Sequence, residues 1–109
     1  EHDGRDFKAL HLFIEDKGKV IAYLRIYKES TQVYHIGRVA VEKAYREKQL
    51  ARKLMEKAIS EVGKIKAARS IDIEAQYYLE KFYKSLGFVS TSKPYQDDKV
   101  IHIKMTLRL

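Results

Sequence analysis

The chain has no cysteine among its 109 residues. That excludes a disulfide framework, a thiolate metal site and a cysteine nucleophile, and it fits a reducing, cytoplasmic location. Pro94 is the single proline, so no proline-rich linker divides the chain. No internal repeat or low-complexity tract is visible. No apolar run approaches the ~20 residues that span a bilayer, and no signal-peptide pattern opens the chain, so no membrane partner is expected. His2, His11, His35 and His102 show no metal-binding spacing such as i, i+4, and no metal is expected. Acidic residues are in deficit: 15 Asp and Glu against 22 Lys and Arg leave a net charge of +7. Such a balance suits polyanions, including nucleic acid, anionic membranes and phosphate-rich cofactors. The basic residues are spread along the chain, which equally suits a solvated surface.

What is present reads as one globular domain. Apolar residues make up 45% and charged residues 34%, enough for one core at this length. Ala9–Ile14 and Lys19–Tyr27 are apolar and β-branched runs around a short turn, and read as a hairpin. Lys28–Gln32 is a second turn, and Val33–Val41 a third strand. From Leu50 the period becomes helical, with Leu50, Ala51, Leu54, Met55, Ala58, Ile59 and Val62 on one face. Gly63 reads as its C-terminal cap. Ser70–Ala75 alternates as a strand, and Gln76–Leu86 reads as a second helix ended by Gly87. Phe88–Thr91 and Val100–Leu109 are the last strands, around a polar turn at 96–99. The order is βββ-α-β-α-ββ, a mixed α+β sheet with helices covering its faces. A right-handed crossover makes the strands at 33–41 and 70–75 parallel neighbours.

The stretch at 34–62 organises the rest. It runs strand, charged loop, helix, and the helix start carries no Ser, Thr, Asp or Asn cap. Uncapped amide groups and the helix dipole favour an anion there. The eight tyrosines invite a base-stacking reading. However, Tyr77, Tyr78 and Tyr83 cluster on one helix, where packing explains them better, so nucleic acid is not an expected partner.

On these residues the chain resembles the GNAT N-acetyltransferase superfamily. The order of elements, the strand-loop-helix at 33–62 and the FYKSLGF ending of the second helix carry the resemblance. IGRVAV, the Arg-led loop, the ARKLM helix and the closing PYQDDKVIHIKM are closest to its ElaA-type subgroup. The resemblance implies a mostly antiparallel sheet with splayed central strands and helices on both faces. It also implies transfer of acetyl from acetyl-CoA to a primary amine by direct attack.

It implies a set of site residues as well. Arg46, Glu47, Lys48, Gln49, Leu50, Ala51 and Arg52 correspond to the family's pyrophosphate loop, with Gln49 where a glycine is usual. Val39, Ala40 and Val41 would pair with pantetheine through their backbone. Gln76 stands where the family often has a cofactor-contacting Asn. Tyr83, four residues before Gly87, would protonate the leaving thiolate. His35 falls where histone-acetylating relatives carry a general base, with Glu74 and His102 as rivals. A GNAT-like domain without catalysis, binding CoA, protein or RNA, is the alternative. The family usually has a strand and one or two helices before the meander, whereas about eight residues precede Ala9. The expectation is a single domain over 1–109, with that segment lacking or outside the chain given. The acceptor amine is not specified, although the net charge favours acidic or neutral acceptors over polycations. A homodimer is one option for its assembly.

Overall fold

The computed structural model describes residues 9–109, except the side chains of Glu47 and Lys48. The strands are β1 (Leu10–Asp16), β2 (Lys19–Lys28), β3 (Val33–Val41), β4 (Ser70–Gln76), β5 (Val89–Ser90), β6 (Tyr95–Asp97) and β7 (Val100–Arg108). The helices are α1 (Leu50–Gly63), after a 3-10 turn at Lys43–Lys48, and α2 (Glu80–Lys84), after a 3-10 turn at Tyr77–Leu79. One sheet runs β1-β2-β3-β4-β7-β5, with β6 also on β7. The β3–β4 pair is parallel and every other pair is antiparallel. The expected order and mixed sheet are therefore present.

Register explains the single core. Ile26 lies opposite Ile36, Tyr34 beside Ile71, Ile73 opposite Met105 and Ala75 opposite Ile103, so their side chains share one face. Leu54, Met55, Ala58 and Val62 of α1 close over that face, and Tyr83 and Phe88 extend it. Leu54, Met55 and Val62 are each at most 4% exposed, burial that stabilises by about 1.5–3 kcal/mol per side chain. Of the helices expected on both faces, the two described both bury their apolar residues in this core. The opposite face carries Tyr23, Arg25, Tyr27, His35, Asp72 and Glu74, and no helix covers it among the described residues.

Two local expectations change. The second helix is shorter than 76–86, because the strand alternation runs through Gln76 and one 3-10 turn precedes α2. Gly63 closes α1 as its last residue and does not adopt the left-handed cap. The helix end is finished by hydrogen bonds that Lys64 N–H donates to Glu61 O and Ile65 N–H donates to Val62 O. Gly87, by contrast, has φ +106, and a Cβ there would meet Leu107 Cδ1 at 2.9 Å. No other residue type fits that turn into Phe88 without strain.

Candidate active site

The site begins where two strands part. β3 and β4 pair only at Val33–Ser70, Tyr34–Ile71 and His35–Asp72. Farther along β3 a bulge intervenes. Its register against β2 moves from Arg25–Gly37 to Tyr23–Ala40, so Leu24 opposes both Arg38 and Val39. Arg38 takes the left-handed backbone, φ 56. A bulge of this kind bends its strand and sharpens the twist. Beyond it, Val39–Val41 present an edge that no strand covers among the described residues.

The gap is a cleft of about 870 Å³ between β3, β4, the start of α1 and α2. One end is cationic and rich in amides. Gln49 sits left-handed at φ 61, ψ 24, and no side chain caps α1. Lys53 N–H is satisfied by Gln49 O at 3.1 Å. The amides of Leu50, Ala51 and Arg52 precede any intrahelical acceptor. Arg46 lines the same end, its Nε donating to Val41 O at 3.1 Å. The loop is tied back to the first hairpin by Glu42 N–H to Ile21 O at 2.7 Å and Tyr45 O–H to Asp16 Oδ2 at 2.6 Å. The adjacent Asp16 carboxylate, accepting that bond, raises the Tyr45 phenol above its usual range.

Arg52 links the two walls. Its Nη2 donates to Ser85 Oγ at 2.6 Å, and its guanidinium lies 5.3 Å from the centre of the Phe82 ring. Ser85 Oγ in turn donates to Phe82 O at 2.6 Å. A cation fixed in this way loses little rotamer freedom when it meets an anion.

Tyr83 lines the cleft from α2 and is 6% exposed. Phe82 and Phe88 pack edge-on against its ring at 5.0 and 6.0 Å. Burial first, and the nearby Tyr78 second, raise the phenol above its ordinary value of 10. It therefore keeps its proton at neutral pH. The β4 wall of the cleft carries Glu74 and Gln76, with His102 of β7 opposite Gln76.

The cleft thus gathers Val39, Ala40, Val41, Arg46, Gln49, Ala51, Arg52, Gln76 and Tyr83, with Glu74 and His102. Leu50 turns its side chain into the core, 8% exposed, leaving only its amide at the helix start. The side chains of Glu47 and Lys48 lie outside the described residues. His35 is not brought to this cleft. It pairs with Asp72 before the strands part, on the face opposite the core, and lines a separate pocket with Glu29 and Asp72. Of the three candidate bases, Glu74 and His102 line the cleft and His35 does not.

Sequence reasoning missed Arg38 in the bulge and Gly37 just before it, and Tyr78 and Phe82 on the opposite wall. One signal for the bulge was present. The inward positions of β3 are Tyr34 and Ile36, then Val39 and Val41. That change of phase within an alternating strand is what one extra residue produces.

Comparison with known proteins gives the same grouping. The family model for the acetyltransferase (GNAT) domain matches residues 5–109. The chain belongs to this family. Protein ElaA of Escherichia coli is 30% identical over 107 residues, 94% of this chain and 70% of ElaA. A UPF0039 protein of Schizosaccharomyces pombe is 33% identical over 111 residues, all of this chain and 74% of the relative. The crystal structure of E. coli ElaA superposes with TM-score 0.83, over 91% of this chain and 68% of ElaA. An acyl-CoA N-acyltransferase from Pseudomonas aeruginosa follows at 0.81 and 30% identity, over 91% and 68%. A GNAT acetyltransferase from Elizabethkingia anophelis, solved with acetyl-CoA bound, shares the fold at 0.79 with 14% identity, over 96% and 79%. The chain is a GNAT domain of the ElaA-type subgroup.

Proposed function

We propose that this domain is an N-acetyltransferase that moves acetyl from acetyl-CoA to a primary amine by direct attack. One observation carries the reading. A single cleft holds a free strand edge, an uncapped helix N-terminus flanked by Arg46 and Arg52, and a buried, protonated Tyr83. The donor set fits the cosubstrate. The α1 amides and the two arginines suit a pyrophosphate. The edge at Val39–Val41 suits the amides of pantetheine. Binding in relatives of the same fold, the E. anophelis enzyme among them, supports this.

Acetyl-CoA supplies an acyl carbon activated as a thioester. The chain's residues handle two protons. Glu74, which lines the cleft, takes the proton that an ammonium must lose before its nitrogen can attack. A carbon–nitrogen bond then forms as the carbon–sulfur bond breaks. Backbone N–H groups near Val39 and Ala40 stabilise charge on the carbonyl oxygen. Tyr83 gives its proton to the departing thiolate, and the second proton, which the acylated nitrogen must shed to become a neutral amide, restores the phenol through solvent. Its raised pKa suits a donor that must stay protonated until sulfur leaves.

Thermal unfolding with added acetyl-CoA tests the reading. Free ligand at a hundredfold its Kd stabilises by about 2.7 kcal/mol, a Tm shift on the order of 10 °C for a chain of this size. No shift at millimolar acetyl-CoA sinks it.

A further inference from the structure

The structure assigns Ser85 a positioning role in cosubstrate binding: its hydroxyl fixes the Arg52 guanidinium where it meets a phosphate of acetyl-CoA. This rests on the N-acetyltransferase reading of the cleft and adds a residue from outside the cleft lining.

Ser85 is the exposed residue that closes α2, and it does not itself line the cleft. Its amide donates to Lys81 O and Phe82 O at 3.0 and 3.2 Å, which finishes the helix. Its hydroxyl proton goes to Phe82 O at 2.6 Å. With that proton committed, Oγ faces its other neighbour as an acceptor. That neighbour is Arg52 Nη2, which donates to it at 2.6 Å. The Phe82 ring lies 5.3 Å from the same guanidinium.

Both of these partners are uncharged. Among the described residues no carboxylate pairs with Arg52. The one acid of α2, Glu80, is engaged by Ser90 Oγ at 2.5 Å and by Lys84 Nζ at 3.5 Å. A carboxylate partner would hold Arg52 but cancel its charge. A hydroxyl and a ring orient it and leave the charge, and the other N–H donors, for an anion. Arg52 lines the cleft beside the uncapped start of α1, so a phosphate at those amides meets a cation already in place. Less rotamer freedom is then lost on binding. Ser85 stands on the wall that carries Tyr83, yet its effect falls on binding, because it acts through Arg52.

Calorimetric titration of acetyl-CoA into the parent, Ser85→Ala, Ser85→Thr, Arg52→Gln and the Ser85→Ala/Arg52→Gln double variant tests this without an acceptor. Ser85→Ala should weaken binding about 2- to 10-fold, the range of one hydrogen bond. Ser85→Thr keeps the hydroxyl and should bind as the parent does. In the Arg52→Gln background Ser85→Ala should cost nothing more, since the two changes remove one interaction. Ser85→Ala also gives up the bond to Phe82 O, so its unfolding midpoint is measured without ligand. A fall in that midpoint with affinity intact overturns the assignment. So do tighter binding in Ser85→Ala, equal losses in the two backgrounds, and a Thr variant as weak as the Ala one. If acetyl-CoA binds the parent and Ser85→Ala alike, the positioning role fails and the cleft reading stands. If acetyl-CoA does not bind the parent, both fail.

Discussion

The sheet has two arms that meet at three residue pairs, 33–35 with 70–72. The arm of β1, β2 and β3, with α1, offers backbone and arginines to the cleft: the edge at Val39–Val41, the amides at 50–52, and Arg46 and Arg52 beside them. The arm of β4 and β7, with α2, offers side chains: Glu74, Gln76, Tyr83 and His102. Backbone recognition is tolerant of sequence, because every residue except proline has the same donor and acceptor. Proton transfer is not tolerant, because it needs one group at one place with a suitable pKa. A substitution in the first arm should therefore alter binding, and one in the second should alter turnover.

The largest expected effect lies in the second arm. Tyr83→Phe removes one oxygen from a ring held edge-on by Phe82 and Phe88, so the packing remains. Its kcat should fall by about 10²- to 10⁴-fold, the usual worth of a positioned acid. The KM for acetyl-CoA should stay within about twofold, since the amide end of the cleft is untouched. In the parent enzyme the raised Tyr83 pKa sets the direction of the pH effect. The acid form, and the stability tied to it, is complete below pH 10 and is lost as pH rises further. Steady-state kinetics from neutral to alkaline pH check both points. Full activity in the Phe variant would remove Tyr83 from the chemistry.

The reciprocal change belongs to the first arm. Ala51→Leu keeps a strong helix former at the second position of α1. It adds bulk where, on the proposed reading, a phosphate approaches the amides. KM for acetyl-CoA should rise about tenfold with kcat nearly unchanged, because phosphate binding at these amides serves ground state and transition state alike. A fall in kcat at constant KM would show that the two arms do not divide the work in this way.

The arms also differ in how much the sequence disclosed. The place of Tyr83 on the cleft wall was legible through the family resemblance at FYKSLGF, whereas its helical spacing alone reads as core. The strand edge was legible as an apolar run, but its bend was not. The bulge at Arg38 depends on register with β2, which the β3 sequence shows only as a shift of phase between Ile36 and Val39. The second helix was read too long because Leu79, Phe82, Tyr83 and Leu86 satisfy helical spacing across a 3-10 turn as well. His35 lies in the neighbouring pocket for a related reason. Position along a strand fixes the face, but the point where the strands part fixes which cavity that face meets. Such long-range pairings are invisible to local patterns.

The smallest expected effect is at Gln49, the non-glycine residue in the loop that leads into α1. Its backbone sits at φ 61, ψ 24, a conformation that costs an L-residue about 1–2 kcal/mol relative to glycine. Its side chain is exposed, so its removal leaves the packing intact. Gln49→Gly relieves the strain but adds freedom to the unfolded chain, which returns roughly 0.5–1 kcal/mol. The net gain should be about 0.5–1 kcal/mol, read as a rise in the denaturation midpoint with unchanged slope. KM for acetyl-CoA should change by less than about twofold, because glycine adopts the same backbone and leaves the α1 amides where they are. The strain then belongs to stability alone, as expected of an arm that works through its backbone. A large fall in KM would instead show that the Gln49 side chain obstructs the phosphate end. In that case even the backbone arm of this site is tuned by a side chain.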